Sequence, residues 1–202
     1  MAEHRLLTPS DAERAAQVIA RSFMDDPLTS FMLPFKRTRL SSLLKFFRVY
    51  AEINIKAGRG FGVGDPLQGV AFWKSPGQDS ISISVKSIGK LLPLFFTMYP
   101  IGYFRARRVI AQIDEFHAQN APDPHYYLDN LGVLPESRGK GLSSQLIRPF
   151  LKMAEEQKVA AYTDTVTKSN VPYYEHFGFQ LVDEKFIAGT GITVHALKKA
   201  LP

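Results

Sequence analysis

A mixed α/β fold, one sheet flanked by helices, is predicted by three features of a chain of 202 residues. Apolar residues recur at three- and four-residue spacing in the long runs 38–57 and 138–158. Short apolar runs of strand length occupy 60–63, 69–73, 125–133 and 159–165. Glycine, proline or aspartate marks most changes of period, and helices and strands are interspersed along the chain. The composition, 45% hydrophobic and 22% charged, supplies a core and argues against disorder. The length fits one domain over 1–202, with a helical segment expected at about 80–120.

Residues Arg5–Leu7 read as a first short strand. Thr8-Pro9-Ser10-Asp11 then starts a helix: Thr8 or Ser10 can cap orphan amides, and Asp11 and Glu13 favour the positive helix end. Its apolar face is Ala12, Ala15, Ala16, Ile19 and Phe23, ending near Asp25-Asp26-Pro27. A second helix runs from about Thr38 to Ala57 through Leu40, Leu43, Leu44, Phe47, Tyr50 and Ala51. Gly60–Val63 and Gly69–Trp73 form a hairpin around Gly64-Asp65-Pro66.

Between Ser80 and Phe104, Ile81, Ile83 and Val85 alternate like a strand, but Ser87–Thr97 has helical spacing up to Pro100. Helix is the expectation there, its Phe and Met residues either packing the core or lining a pocket. Arg105–Gln119 is a further helix, with Val109, Ile113 and Phe116 on one side. His125–Val133 is a buried strand, and Arg138–Lys158 a helix with Leu142, Leu146, Phe150 and Ala154 in register. Val159–Thr165 is a strand, and Val171–His176 a short helix closed by Gly178. Phe179–Val182 and Ile192–Leu197 pair around the turn Gly189–Gly191.

The absence of cysteine excludes disulfides, a cysteine nucleophile, Cys-ligated zinc and iron–sulfur clusters. A net charge of +6 favours anionic partners without naming one. The N-terminus lacks an apolar leader, and the most apolar stretch, Leu91–Phe104, is broken by Pro93, Pro100 and Gly102. A cytoplasmic protein without membrane contact is therefore expected. Arg105, Arg107 and Arg108 carry no nucleic-acid-binding motif and read as a solvated helix end, so no nucleic-acid partner is expected.

The most informative stretch is Asn130–Ser144, where a strand ends, Pro135 stops it, and Arg138-Gly139-Lys140-Gly141 opens a helix. A helix N-terminus presents free amides and partial positive charge, which suit phosphate; Arg138 and Lys140 add charge, and Gly139 and Gly141 admit a close anion. Neither GxGxxG nor GxxxxGK[ST] is present. Arg138-x-x-Gly141-x-Ser143 resembles the coenzyme A signature of the GCN5-related N-acetyltransferase (GNAT) superfamily, with Ser143 where glycine or alanine is usual. Asn170-Val-Pro-Tyr173-Tyr174-Glu-His-Phe-Gly178-Phe179 resembles the family's second signature, N-x-x-x-Y-x-x-x-G-F. The pair is far more specific than either half. The segments LDNLGVLPESRGKGLSSQLIRP, TDTVTKSNVPYYEHFGF and GVAFWKSPG further resemble the branch that contains puromycin N-acetyltransferase.

The resemblance implies an acyl-CoA N-acyltransferase fold: a mostly antiparallel mixed sheet with a splayed strand pair forming the acetyl-CoA cleft. It implies transfer of acetyl from acetyl-CoA to a small-molecule amine acceptor, a toxic or antibiotic amine among them. Acetylation of protein or peptide amines and acyl-CoA binding without turnover stay open. It places coenzyme contacts at Leu131, Gly132, Val133, Arg138, Gly139, Lys140, Gly141, Leu142, Ser143, Asn170 and Tyr173. Tyr174 falls at the general-acid position. Asp129 is the candidate base or amine-binding anion: counting by twos puts it on the strand face of Leu131 and Val133. Asp164, Tyr127, Phe23, Phe31, Phe95, Phe96 and Tyr99 are substrate-side candidates. Thioester aminolysis needs no metal, and none is expected. Neither monomer nor homodimer is fixed by the sequence.

Overall fold

The computed structural model describes residues 4–78 and 99–200, without the side chains of 99–104, 106 and 107. The elements are β1 (Arg5–Leu6), α1 (Ala12–Ser22), α2 (Pro27–Met32), α3 (Lys36–Lys56), β2 (Gly60–Val63) and β3 (Gly69–Lys74). They continue with α4 (Tyr99–Asn120), β4 (His125–Val133), α5 (Leu142–Gln157), β5 (Ala160–Thr165), α6 (Val171–Glu175), β6 (Gln180–Ile187) and β7 (Ile192–Lys199). Among the described residues seven strands form one sheet in the order β1-β2-β3-β4-β5-β7-β6. Only β4 and β5 run parallel; every other neighbouring pair is antiparallel.

Helices cover both faces. On one, α1 and α3 meet through Ala12, Ala15, Ala16 and Ile19 against Leu43, Phe47, Ala51 and Ile55, all buried. Small residues on α1 let the two helices approach closely. On the other, α5 buries Leu146, Ile147, Phe150, Leu151 and Ala154 with Trp73, Tyr126 and Leu128. Trp73 packs there fully: its ring stacks on Phe150 at 4.7 Å and its Nε1 donates to the Leu146 carbonyl at 3.0 Å.

Three differences from the sequence reading bear on the site. Asp26-Pro27 starts a helix rather than only ending one: Asp26 caps α2, accepting from the Thr29 amide at 3.1 Å, with Pro27 in its first turn. Pro100 lies in the first turn of α4, which opens at Tyr99. The helix expected from Arg138 begins at Leu142, because Gly139 and Gly141 adopt φ of +76° and +73°. The expected helix over Ser87–Thr97 and the candidates Phe95 and Phe96 lie outside the described residues.

A fourth difference is a β-bulge. Phe72 pairs with Asn130 and Trp73 with Leu128, so Asp129 is an extra residue in β4. A bulge resets the two-residue alternation of faces. Before it, Tyr126 and Leu128 point to α5; after it, Leu131 packs with the α5 cluster and Gly132 faces Ile19 and Ser22 of α1. Asp129 therefore sits on the α3 face with Tyr127, not on the face of Leu131 and Val133.

Candidate functional site

The β4–β5 ladder stops at Leu128↔Thr163, so β4 from Asp129 to Val133 has β3 on one edge and, among the described residues, no strand on the other. The Leu134 amide donates to Gln68 across the β3 side, so by alternation the Leu131 and Val133 peptides face the open edge. Ser22 caps part of this edge, donating to the Val133 carbonyl at 3.0 Å. The gap continues into a cleft of about 860 Å³.

The cleft runs to the start of α5. Nothing lies within 4 Å of a Cβ built on Gly139 or Gly141, so positive φ, not crowding, is what calls for glycine there. The α5 N-cap, Gly141, provides no side-chain hydrogen bond, and no acid stands in the first turn. The first amides and the positive helix end thus stay open toward the cleft, an uncompensated anion cradle. Arg138, Leu142 and Ser143 line it with the two glycines.

Asn170 and α6 close the cleft from the β5 side. The Asn170 side-chain amide donates to Thr165 Oγ1 at 3.1 Å, fixing the turn that carries α6. Tyr174 lines the cleft with only 7% of its surface exposed, its phenol beside Thr163. Burial, with Tyr173 and Asp164 nearby, pushes its phenol well above the ordinary range. It is a neutral O–H donor at physiological pH. Tyr173 is more exposed and lines the same cleft as Ser143, the serine that departs from the family signature.

The opposite face of the gap is acidic and aromatic. Asp129 Oδ2 accepts a hydrogen bond from Tyr50 of α3 and lies 3.3 Å from Lys74 Nζ. Asn130 donates to the same Tyr50 hydroxyl at 3.0 Å. Lys74 also stands 4.8 Å from the Tyr127 ring centroid. Tyr127 donates to Asp164 Oδ2 at 2.9 Å. Burial pushes the Asp164 carboxyl up to about 7, with Asp129 and Asp114 raising it and the Tyr127 bond and Lys74 opposing. Beside this network a second cavity of about 450 Å³ is lined by Lys74, Asp114, His117, His125 and Tyr127. His117 stacks on Tyr162 at 4.5 Å, and burial lowers its imidazole to about 4, keeping it neutral.

The structure thus brings Leu131, Gly132, Val133, Arg138, Gly139, Gly141, Leu142, Ser143, Asn170, Tyr173, Tyr174 and Phe23 into one cleft. Lys140 is exposed and is not among the cleft-lining residues. Asp129, Asp164 and Tyr127 form the network on the other face. Phe31 packs near Tyr127 and Tyr162 beneath Arg105. Tyr99 starts α4. Sequence reasoning missed Ser22, Tyr50, Lys74, Asn130 and Thr163. It also missed Asp26, which lines the cleft, reaches Thr167 Oγ1 at 3.5 Å, and has its carboxyl raised by burial. The Asp-Pro helix-start signature was the available signal for Asp26. Among the described residues no group of three or more His, Asp or Glu could hold a metal ion. No described helix is long and apolar enough to cross a membrane.

Comparison with known proteins agrees with this architecture. Residues 102–201 match the family described as Acetyltransferase (GNAT) domain. An uncharacterized N-acetyltransferase of Schizosaccharomyces pombe is 26% identical over 175 residues, covering 84% of this chain and 70% of that protein. A crystal structure described as histone acetyltransferase HPA2 and related acetyltransferase, from Corynebacterium glutamicum, superposes with a TM-score of 0.70 at 18% identity, over 100% of this chain and 97% of that one. A Drosophila melanogaster polyamine N-acetyltransferase, described as forming N-acetylagmatine, gives 0.62 at 13% identity over 100% of both chains. With the two signatures placed on either side of the open β4 edge, residues 102–201 form a domain of the GNAT superfamily of acetyltransferases.

Proposed function

We propose that the protein transfers the acetyl group of acetyl-CoA directly to the primary amine of a small molecule. The observation that carries this reading is the chemical difference between the two faces of the β4–β5 gap. One holds a neutral buried phenol, Tyr174; the other holds the carboxylates Asp129 and Asp164 among aromatic rings. A leaving thiolate needs a proton, and an arriving ammonium needs anions and π-faces. The amine side therefore lies toward α3 and α4, and the sulfur side toward α6.

The cleft suits the coenzyme. The α5 amides and Arg138 would take its pyrophosphate, and the open edges of Leu131 and Val133 would pair with the pantetheine amides. Acetyl-CoA supplies a thioester already reactive toward a neutral amine, so neither a metal nor an acyl-enzyme is called for. Tyr174 stands to protonate the departing sulfur. Asp129 and Asp164 stand to bind the ammonium, and Phe23 and Phe31 to flank its substituent. The structural neighbour that forms N-acetylagmatine and the resemblance to the puromycin-acetylating branch both support a small amine, toxic amines included.

The test is thiol release from acetyl-CoA with polyamines, agmatine, arylalkylamines, puromycin and lysine-bearing or free-N-terminal peptides. Release with small amines but not peptides supports the proposal. Release only with peptides favours a protein acetyltransferase, and coenzyme binding without release to any acceptor favours a non-catalytic domain.

A further inference from the structure

We propose that Asp164, rather than Asp129, accepts the proton of the arriving ammonium, while Lys74 and Tyr50 hold Asp129 as a group that orients the amine. This rests on the transferase reading above. The geometry separates the two carboxylates. Asp164 is the first β5 residue beyond the last β4–β5 pair, Leu128↔Thr163, at the apex of the gap. It shares the face of Tyr162 and Tyr127, opposite the phenol of Tyr174, so acid and base would flank the reacting carbonyl from two sides. Its Oδ2 takes the Tyr127 hydroxyl at 2.9 Å, and among the described residues no other hydrogen bond and no ion pair engages it.

Asp129 has the opposite surroundings. A lysine ammonium at 3.3 Å and a phenol both satisfy it, so protonating it would break an ion pair inside a half-buried network. A base must lose little when it gains a proton. Asp164 meets that condition: it titrates at about 7, so it is largely ionised above neutrality and readily protonated near it. The groups facing it are Tyr127 and Asp129 on β4, Lys74 on β3, Asp114 on α4 and Tyr162 on β5, with Tyr174 of α6 acting on it from the opposite face.

The protons balance. The ammonium gives one proton to Asp164 and becomes a nucleophile. The C–N bond forms and the C–S bond breaks. The nitrogen sheds its second proton as the amide forms, and the thiolate takes one from Tyr174, which solvent replenishes. One proton is released overall.

The experiment is the pH profile of kcat/KM for the wild type, Asp164→Asn, Asp129→Asn and Tyr127→Phe. The probe is agmatine, or the primary aliphatic amine that the wild type turns over fastest. The wild type should show an ascending limb near pH 7. Asp164→Asn should lose that limb and fall about 100-fold at pH 8, with acetyl-CoA affinity unchanged. Asp129→Asn should keep the limb and raise the amine KM. Tyr127→Phe keeps the carboxylate but removes its hydrogen bond, so the limb should move to higher pH; this variant decides the question if Asp164→Asn does not fold. An Asp164→Asn enzyme that keeps the limb, a limb lost instead in Asp129→Asn, or an unmoved limb in Tyr127→Phe overturns the assignment. A wild type that binds acetyl-CoA but acetylates no amine overturns the transferase reading itself.

Discussion

On the α5/α6 side of the β4–β5 gap the chain offers backbone: open strand peptides, two left-handed glycines and the amides of an uncapped helix. On the α3/α4 side it offers side chains drawn from four segments: Tyr50 from α3, Lys74 from β3, Tyr127, Asp129 and Asn130 from β4, and Asp164 from β5. A wall made of backbone can bind the same coenzyme in many relatives, because it depends little on side-chain identity. A wall made of side chains can change its ligand through single substitutions. The contrast predicts that variants on the first side act on the coenzyme, and variants on the second on amine and pH response.

Tyr174 is the exception that sharpens this contrast, a side chain on the backbone-built wall. Tyr174→Phe keeps the buried ring against Phe179 at 5.9 Å and removes only the hydroxyl. The expected result is a fall in kcat of about 100-fold or more, with KM for acetyl-CoA within about twofold. Steady-state kinetics at saturating amine check it. A rate within threefold of wild type would take the proton-donor role from Tyr174 and leave that wall purely a binding surface.

Asp164→Asn gives the next largest effect, this time on stability. The folded carboxyl titrates at about 7, above its unfolded value of about 3.9, so the native state holds more protons between the two. The associated stability is complete below about pH 4 and is lost as pH rises through 7. Asparagine, neutral throughout, loses nothing. The variant should therefore gain about 1–2 kcal/mol over wild type at pH 8, allowing for solvent screening, and close to nothing at pH 4. Thermal melts across pH read this directly. A gap that fails to grow with pH would show that the acceptor wall carries no strained carboxylate.

The same contrast explains how far the site could be read from the sequence. Strand β4 was placed at its observed ends, and α3 and β5 within a residue or two, because each carries its period in consecutive residues. The α5/α6 wall was legible for the same reason: Arg138 to Ser143 and Asn170 to Tyr174 are contiguous, and their chemistry is a local backbone shape. The acceptor wall was not. Tyr50 and Asp129 are 79 residues apart, and Tyr127 and Asp164 are 37 apart. In sequence Tyr50 is one apolar-face position of a helix, and Lys74 one charged strand end. The bulge at Asp129 was also invisible, since no glycine or proline marks it, and counting by twos across it put Asp129 on the wrong face.

Gly141→Ala tests whether the coenzyme wall needs its backbone shape. Space is not the obstacle, because nothing lies within 4 Å of the added Cβ; the φ of +73° is. Holding alanine in the left-handed region costs about 1–2 kcal/mol. The chain can bear that cost as lost stability or relax the turn and misplace the α5 amides. Relaxation would raise KM for acetyl-CoA about tenfold without changing KM for the amine. A raised KM for amine alone would mean that the two walls are not independent.

The smallest expected effect separates the two cations of the signature. Both are expected phosphate ligands and both are solvent-exposed, yet Arg138 lines the cleft and Lys140 is absent from its lining. Lys140 alternates with Gly139 and Gly141, whose positive φ values turn the backbone at each step. An exposed ammonium acts on a phosphate only through water and salt, and at physiological ionic strength such a charge is screened within about 8 Å. Lys140→Ala should change KM for acetyl-CoA by about twofold or less, with the change fading at high salt. Arg138→Ala should raise it about five- to tenfold, because a guanidinium at the cleft wall can meet a phosphate directly. Titrating both variants with acetyl-CoA at low and high salt separates direct contact from long-range attraction. Equal losses would move Lys140 into the cleft on coenzyme binding, and with it the left-handed turn that now holds it outside.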